Sequence, residues 1–171
     1  MRYIDFDGVI LDTEGLLFEE WRKNPDRHLL SGKEKIKYIQ NSNWKYIIEN
    51  SRILNDSIYK LKNMDPNESA ILTKVHSLDN EAQEKIVFLR KNGVKQEVII
   101  VPYTLRKTQV VTAENNILID DSLRNLKEWR EALGYPMFYD KNGTNVDDWG
   151  TYNTEGYQKV YKIDEKVSKN M

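Results

Sequence analysis

The hydrophobic and polar positions of the chain change rhythm twice. Tyr3–Phe6 is a short apolar run interrupted by Asp5, and it reads as a first β-strand. From Leu11 to about Pro66 the apolar residues recur at helical spacing instead. Leu17, Phe18 and Trp21 fall within 14–23, and Ile36 and Ile39 within 31–40. Trp44, Ile47 and Ile48 fall within 43–50, and Leu54, Ile58 and Leu61 within 51–64. This spacing predicts roughly four short helices joined by tight turns, with Ser31 as an N-cap and Asp65-Pro66-Asn67 as the closing turn.

A third regime follows. Residues 69–75 read as a buried strand and 79–92 as an amphipathic helix ended by Gly93. Residues 97–101 form a Val- and Ile-rich strand, and 102–115 an irregular loop. Residues 117–120 are a strand, 123–133 a helix stopped by Gly134, and 136–139 a fifth short strand. Beyond them, 140–155 is rich in Gly, Asn and Asp, and 157–163 alternates like an edge strand. Strands alternating with helices predict a parallel sheet with right-handed crossovers. The expected fold is therefore α/β. A Rossmann-like, five-stranded parallel sheet is built from 1–12 and 67–171, and a small helical unit, 13–66, is inserted after the first strand.

Composition narrows the function classes. At 171 residues the chain suits one domain with a small insertion, and a chain of this size buries about 70% of its unfolded surface. The net charge of −1 and pI of about 6.2 give no global basic excess, so extended nucleic-acid binding is not expected. The absence of cysteine excludes disulfides and thiolate metal sites and fits a reducing compartment. The acidic residues Asp5 and Asp7 leave no room for a signal peptide ahead of them. The apolar runs 98–101 and 117–119 are too short to cross a bilayer. A cytoplasmic protein with no membrane partner is the expectation.

The polar residues at the predicted strand ends carry the candidate chemistry. Asp5 and Asp7 end the first strand, and residues two apart on a strand point the same way. Gly8 then lets the chain curl away. Thr73 lies near the end of the second strand, Lys107 in the loop after the third, and Asp120 and Asp121 at the end of the fourth. In open α/β sheets, ligands bind beyond the carboxyl ends of the strands. Each residue also has an ordinary reading. Asp-x-Asp-Gly serves as a turn after an edge strand, Thr73 as a β-branched strand residue, Lys107 as a solvated lysine, and Asp121 or Ser122 as a helix N-cap. The conjunction carries more weight than any member: two carboxylates, a hydroxyl, a lysine, two carboxylates, in that order.

That order resembles the four motifs of the haloacid dehalogenase superfamily of phosphatases, over about residues 2–139. Asp5-Phe6-Asp7-Gly8-Val9 resembles the first motif, Thr73 the second, Lys107 the third and Asp120-Asp121 the fourth. The helical insertion resembles the cap of such enzymes, and the spacing of the third and fourth motifs is most similar to the 5′(3′)-deoxyribonucleotidases. The resemblance implies a Mg²⁺-dependent phosphomonoester hydrolase acting through an aspartyl-phosphate. Asp5 would be the nucleophile and Asp7 the general acid and base, with Thr73 and Lys107 holding the phosphoryl oxygens. Asp5, the main-chain carbonyl of Asp7, and Asp121 would hold Mg²⁺, with Asp120 orienting that site. The implied partner is a small phosphomonoester, a nucleoside monophosphate first among them. A sugar phosphate or a nucleic-acid end is the alternative substrate, and a phospho-receiver-like module or an inactive scaffold the alternative class. Trp44 and Tyr46, two apart on one predicted helix, cannot both face one side; one of them and Lys74 are candidate substrate contacts.

Overall fold

The computed structural model describes residues 1–141. Five parallel strands, β1 (Arg2–Ile4), β2 (Ser69–Val75), β3 (Glu97–Pro102), β4 (Ile117–Asp120) and β5 (Tyr135–Phe138), form one sheet in the order β3-β2-β1-β4-β5. Placing β1 at the centre follows from its neighbours. Ile4 lies opposite Ile71 and Ile119, and Tyr3 opposite Ala70 and Leu118. Alternation sends these residues to opposite faces. Ile4, Ile71 and Ile119 join one apolar cluster, while Tyr3, Ala70, Leu72 and Leu118 join another with Leu126 and Trp129 of α7 (Leu123–Glu131). Both faces are therefore covered, as a parallel sheet requires.

Between β1 and β2 lie α1 (Thr13–Leu17), α2 (Glu19–Lys23), a 3₁₀ turn (Arg27–Leu29), α3 (Gly32–Gln40), α4 (Trp44–Asn50) and α5 (Ser57–Asn63); α6 (Gln83–Lys91) follows β2. Ser31 caps α3 as the sequence predicts, and Glu34 closes a capping box with it. Two of the expected helices are shorter. The stretch 14–23 breaks at Phe18, which lets Leu17 and Phe18 line a cavity with the carboxylates while Trp21 packs on Tyr38, ring centroids 5.1 Å apart. The stretch 51–64 is helical only from Ser57, because Asn55 and Asp56 adopt left-handed φ of 45° and 51°. The segment before them is tied to the loop after β1 instead: Leu54 N–H and the Ser57 hydroxyl donate to the Ile10 carbonyl, and Asp12 N–H to that of Arg52.

Leu17, Ile39, Trp44, Ile47, Ile48, Leu54 and Leu61 of this inserted stretch belong to the same buried cluster as Ile4, Ile71 and Ile119 of the sheet. The Trp44 indole N–H donates to the Ile39 carbonyl at 2.9 Å, so its polar atom is satisfied within the core. At the end of α7, which stops at Glu131, Leu133 takes a left-handed φ of 64° just before the Gly134 expected to stop the helix. Gly134 answers a different need, since a Cβ there would overlap the Trp129 indole. The edge strand expected at 157–163 lies outside the described residues. No helix among the described residues is long and apolar enough to cross a membrane.

Candidate active site

The loop after β1 closes on itself. Gly8 N–H donates to Leu11 O, and both Ile10 and Leu11 N–H donate to Phe6 O. Gly8 has φ +73°, and a Cβ there would overlap the Asp121 carboxylate, so glycine is required on two counts. Asp5 N–H extends the ladder by donating to Ile119 O. The tips of β1 and β4 thus sit side by side. Asp5, Asp120 and Asp121 each offer a carboxylate oxygen, and these oxygens all lie within 4.8 Å of one another.

The three carboxylates are not equivalent. Asp120 is fully buried and heavily bonded: Oδ1 accepts from Ser122 N–H at 2.8 Å, and Oδ2 from Lys107 Nζ at 2.6 Å and Asn125 Nδ2 at 2.9 Å. Asp5 Oδ1 pairs with Lys107 at 2.8 Å. Among the described residues, no hydrogen bond or ion pair reaches the Asp121 carboxylate. Burial pushes Asp5 up to about 7; the Lys107 ammonium partly offsets this, and Asp120 and Asp7 add to it. Burial and the charges of Asp5, Asp120 and Asp7 push Asp121 up to about 8. Lys107, itself buried, would be lowered by desolvation alone, but Asp120 and Asp5 hold it above the usual lysine range.

This donor set fits a hard divalent cation. It consists of carboxylate oxygens only, it is short of positive charge with Lys107 as its nearest cation, and it contains a partly buried carboxylate with no partner. Asp5 and Asp121, two of the residues expected from sequence, belong to it. Asp120, expected behind the metal ligands, offers an oxygen as well as its bonds to Lys107 and Asn125.

A cavity of about 230 Å³ adjoins these groups, lined among others by Asp5, Asp7, Asp121, Lys74, Phe18 and Trp44. Of the two candidate aromatics, Trp44 lines this cavity, whereas Tyr46 is exposed and lines a separate groove with Trp21 and Tyr38. Thr73 is fully buried, and its hydroxyl accepts from Lys85 Nζ at 3.1 Å. Lys74 lines the cavity and is lowered by burial.

Sequence reasoning passes over two residues that bond Asp7, Thr13 and Lys85, and a third, Glu81, that bonds Lys85. Thr13, the first residue of α1, donates its hydroxyl to Asp7 Oδ1 at 2.7 Å. Lys85 Nζ donates to Asp7 Oδ2 at 2.5 Å and to Glu81 Oε1 at 2.7 Å. The available signal was the i, i+4 pair Glu81–Lys85 on a helix whose other inward positions are apolar.

No protein-family model matches this sequence, and no curated protein matches it significantly. Solved structures do resemble the chain. A phosphonoacetaldehyde hydrolase-like protein from Oleispira antarctica superposes with a TM-score of 0.57 at 10% identity, covering 99% of this chain and 84% of that one. A hydrolase from Pseudomonas syringae gives a TM-score of 0.52 at 13% identity, covering 93% and 89%. At such identities the likeness speaks to architecture. The chain shares the α/β fold of these proteins, and its own sheet is five-stranded and parallel, as expected from the sequence.

Proposed function

We propose that the protein is a Mg²⁺-dependent phosphomonoester hydrolase that works through an aspartyl-phosphate on Asp5, with a nucleoside monophosphate as substrate. The observation that carries the reading is the state of Asp5. One of its oxygens is fixed by Lys107, and its carboxylate lines a cavity shared with Asp7 and Asp121. Asp5 attacks phosphorus and forms a covalent phosphoenzyme, dividing one difficult displacement into two. Asp7 protonates the departing alkoxide and then takes a proton from the water that hydrolyses the intermediate. Lys107 orients Asp5 and, with Lys74, offsets charge on the phosphoryl oxygens. Asp5, the main-chain carbonyl of Asp7 and Asp121, with Asp120 beside them, would hold Mg²⁺, which would supply the charge neutralisation that lets a carboxylate approach a phosphate dianion.

The nucleotide part of the proposal rests on the apolar side of the cavity. Phe18, half-buried, offers a flat ring to the cavity, whose lining also includes the buried Trp44, and an aromatic surface stacks on a base for about 1–3 kcal/mol. At about 230 Å³ the cavity is smaller than the usual small-molecule pocket of roughly 300–1,000 Å³. It suits the phosphoryl end of a substrate better than a whole nucleotide. The test is phosphate release from a panel of nucleotides, sugar phosphates and aryl phosphates, with Mg²⁺ and with EDTA, for wild type and Asp5→Asn. Turnover that needs Mg²⁺ and falls by at least roughly a thousandfold in Asp5→Asn is expected. Activity of Asp5→Asn within about threefold of wild type, at unchanged thermal stability, would sink the mechanism. A wild type that prefers sugar phosphates would remove only the nucleotide.

A further inference from the structure

Lys85 is the least expected residue near the site. It is completely buried, and its ammonium lies within hydrogen-bond distance of four acceptors: Asp7 Oδ2 (2.5 Å), Glu81 Oε1 (2.7 Å), Thr73 Oγ1 and the Lys74 carbonyl (3.1 Å each). An ammonium has three protons, so these contacts share them and leave no direction open. Desolvation alone would lower Lys85, but Asp7 and Glu81 hold it above the usual lysine range.

The surroundings fix this cation in turn. Glu81 lies in a π-helical turn, Leu78–Ala82, at the start of α6, and such turns recur at functional sites. Its other oxygen accepts from His76 N–H at 2.7 Å, and its own N–H donates to the Ser77 hydroxyl. Desolvation would raise Glu81, yet Lys85 and the bonds from His76 hold it below the usual carboxylate range. Stability is a poor explanation for the arrangement, because a buried ion pair returns little over a well-packed apolar pair of the same volume. What the arrangement does achieve is orientation. Lys85 does not line the cavity, but Asp7 and Thr13 do. Lys85 takes Oδ2 of Asp7 on the inner side, and Oδ1 is the oxygen bonded to Thr13, a cavity residue.

We infer that Lys85 is a positioning residue for Asp7: it anchors one carboxylate oxygen from within the core and so presents the other to the leaving group. This rests on the phosphatase reading above and adds a residue that none of the four motifs contains. Positioning has a kinetic signature that general loosening of the fold lacks. An alkoxide leaves poorly without a proton, whereas a nitrophenolate leaves without one. In kcat/KM, which reports the steps through phosphorylation of Asp5, displacing the proton donor should penalise an alkyl phosphate and spare an activated aryl phosphate.

The experiment compares kcat/KM for an alkyl phosphomonoester and for a nitrophenyl phosphate in wild type and Lys85→Met, with thermal melting alongside. A fall of roughly a hundredfold or more on the alkyl ester is expected, against a change within about threefold on the aryl ester. Glu81→Gln, which keeps Lys85 but loosens its seat, should show the same selectivity at roughly tenfold, and it decides the matter if Lys85→Met does not fold. Equal losses on both esters, or no loss on either, would overturn the role of Lys85 while leaving the phosphatase reading intact. A wild type that hydrolyses neither ester would overturn both.

Discussion

Removing a carboxylate from this site should make the metal-free protein more stable. Asp121 packs against Gly8, lies within 4.8 Å of oxygens of Asp5 and Asp120, and has no partner among the described residues. At that separation a pair of like charges repels by about 3.5 kcal/mol with an effective dielectric constant of ~20. Lys107, bonded to both Asp5 and Asp120, cancels part of this, which leaves a net penalty of about 2 kcal/mol at a partly solvated position. The sign with pH follows from the raised value of Asp121, about 8 in the folded protein, against about 3.9 in an unfolded chain. A carboxyl raised on folding contributes stability that is complete below about pH 4 and lost as pH rises through about 8. Asn does not titrate. In EDTA, Asp121→Asn should therefore melt close to wild type at pH 4. At pH 8.5 it should melt about 4–8 °C above it, using ~2–4 °C per kcal/mol for a chain of this size. Millimolar Mg²⁺ should raise the melting temperature of wild type at pH 8.5 and leave that of Asp121→Asn nearly unchanged. Differential scanning calorimetry at the two pH values, with and without Mg²⁺, measures all of this. A variant that melts below wild type at pH 8.5, or gains as much at pH 4, would falsify the electrostatic account of the site.

Other expectations follow from the same geometry. Asp7→Asn should leave Asp5 able to attack an activated aryl phosphate but unable to shed the phosphoryl group. Intact-protein mass spectrometry should find a single added phosphoryl, and rapid multiple turnovers would exclude the role given to Asp7. Trp44→Ala should cost about 3–5 kcal/mol of stability because the ring is buried in the main cluster, whereas exposed Tyr46→Ala should stay within about 0.5 kcal/mol. Denaturant titration separates them, and an unchanged KM for nucleotides in Tyr46→Ala would agree with its place on the other groove. Gly8→Ala should both strain the left-handed turn and displace Asp121, so Mg²⁺-dependent turnover should fall together with the melting temperature.

How legible all this was in the sequence depended on whether a signal was local. The strands 69–75 and 117–120 were visible because each holds a short apolar core, Ala70–Leu72 and Ile117–Ile119, flanked by turn-forming or polar residues. Asp5, Lys107, Asp120 and Asp121 were legible as a set because the carboxyl ends of β1, β3 and β4 lie along one edge once the sheet is parallel. The break of α1 and α2 at Phe18 was not, since nothing in the helical spacing says which residues a neighbouring cavity will draw inward. Leu133 rather than Gly134 takes the left-handed φ at the end of α7, while Gly134 leaves room for the Trp129 ring, five residues earlier on the inner face of α7; neither packing demand is visible in the spacing. Lys85 was the largest omission. A lysine on a charged helix looks solvated until the fold places carboxylates beneath it.

The apolar cluster shared by the sheet and the inserted helices also bears on how anything reaches the carboxylates. A full outward swing of α1–α5 would draw Leu17, Ile39, Trp44, Ile47, Ile48, Leu54 and Leu61 out of that cluster. Exposing large side chains costs about 1.5–3 kcal/mol each, so the sum for seven is on the order of 10–20 kcal/mol, the size of a whole domain's folding stability. A widely open form would then be about as rare as the unfolded chain. Exchange between site and solvent is confined to smaller movements, and the break between α1 and α2 at Phe18, which lines the cavity, is one place where the backbone leaves the helical path beside the site. In such a molecule ligand residence time and thermal resistance are set by the same contacts. Selection for one cannot proceed without altering the other.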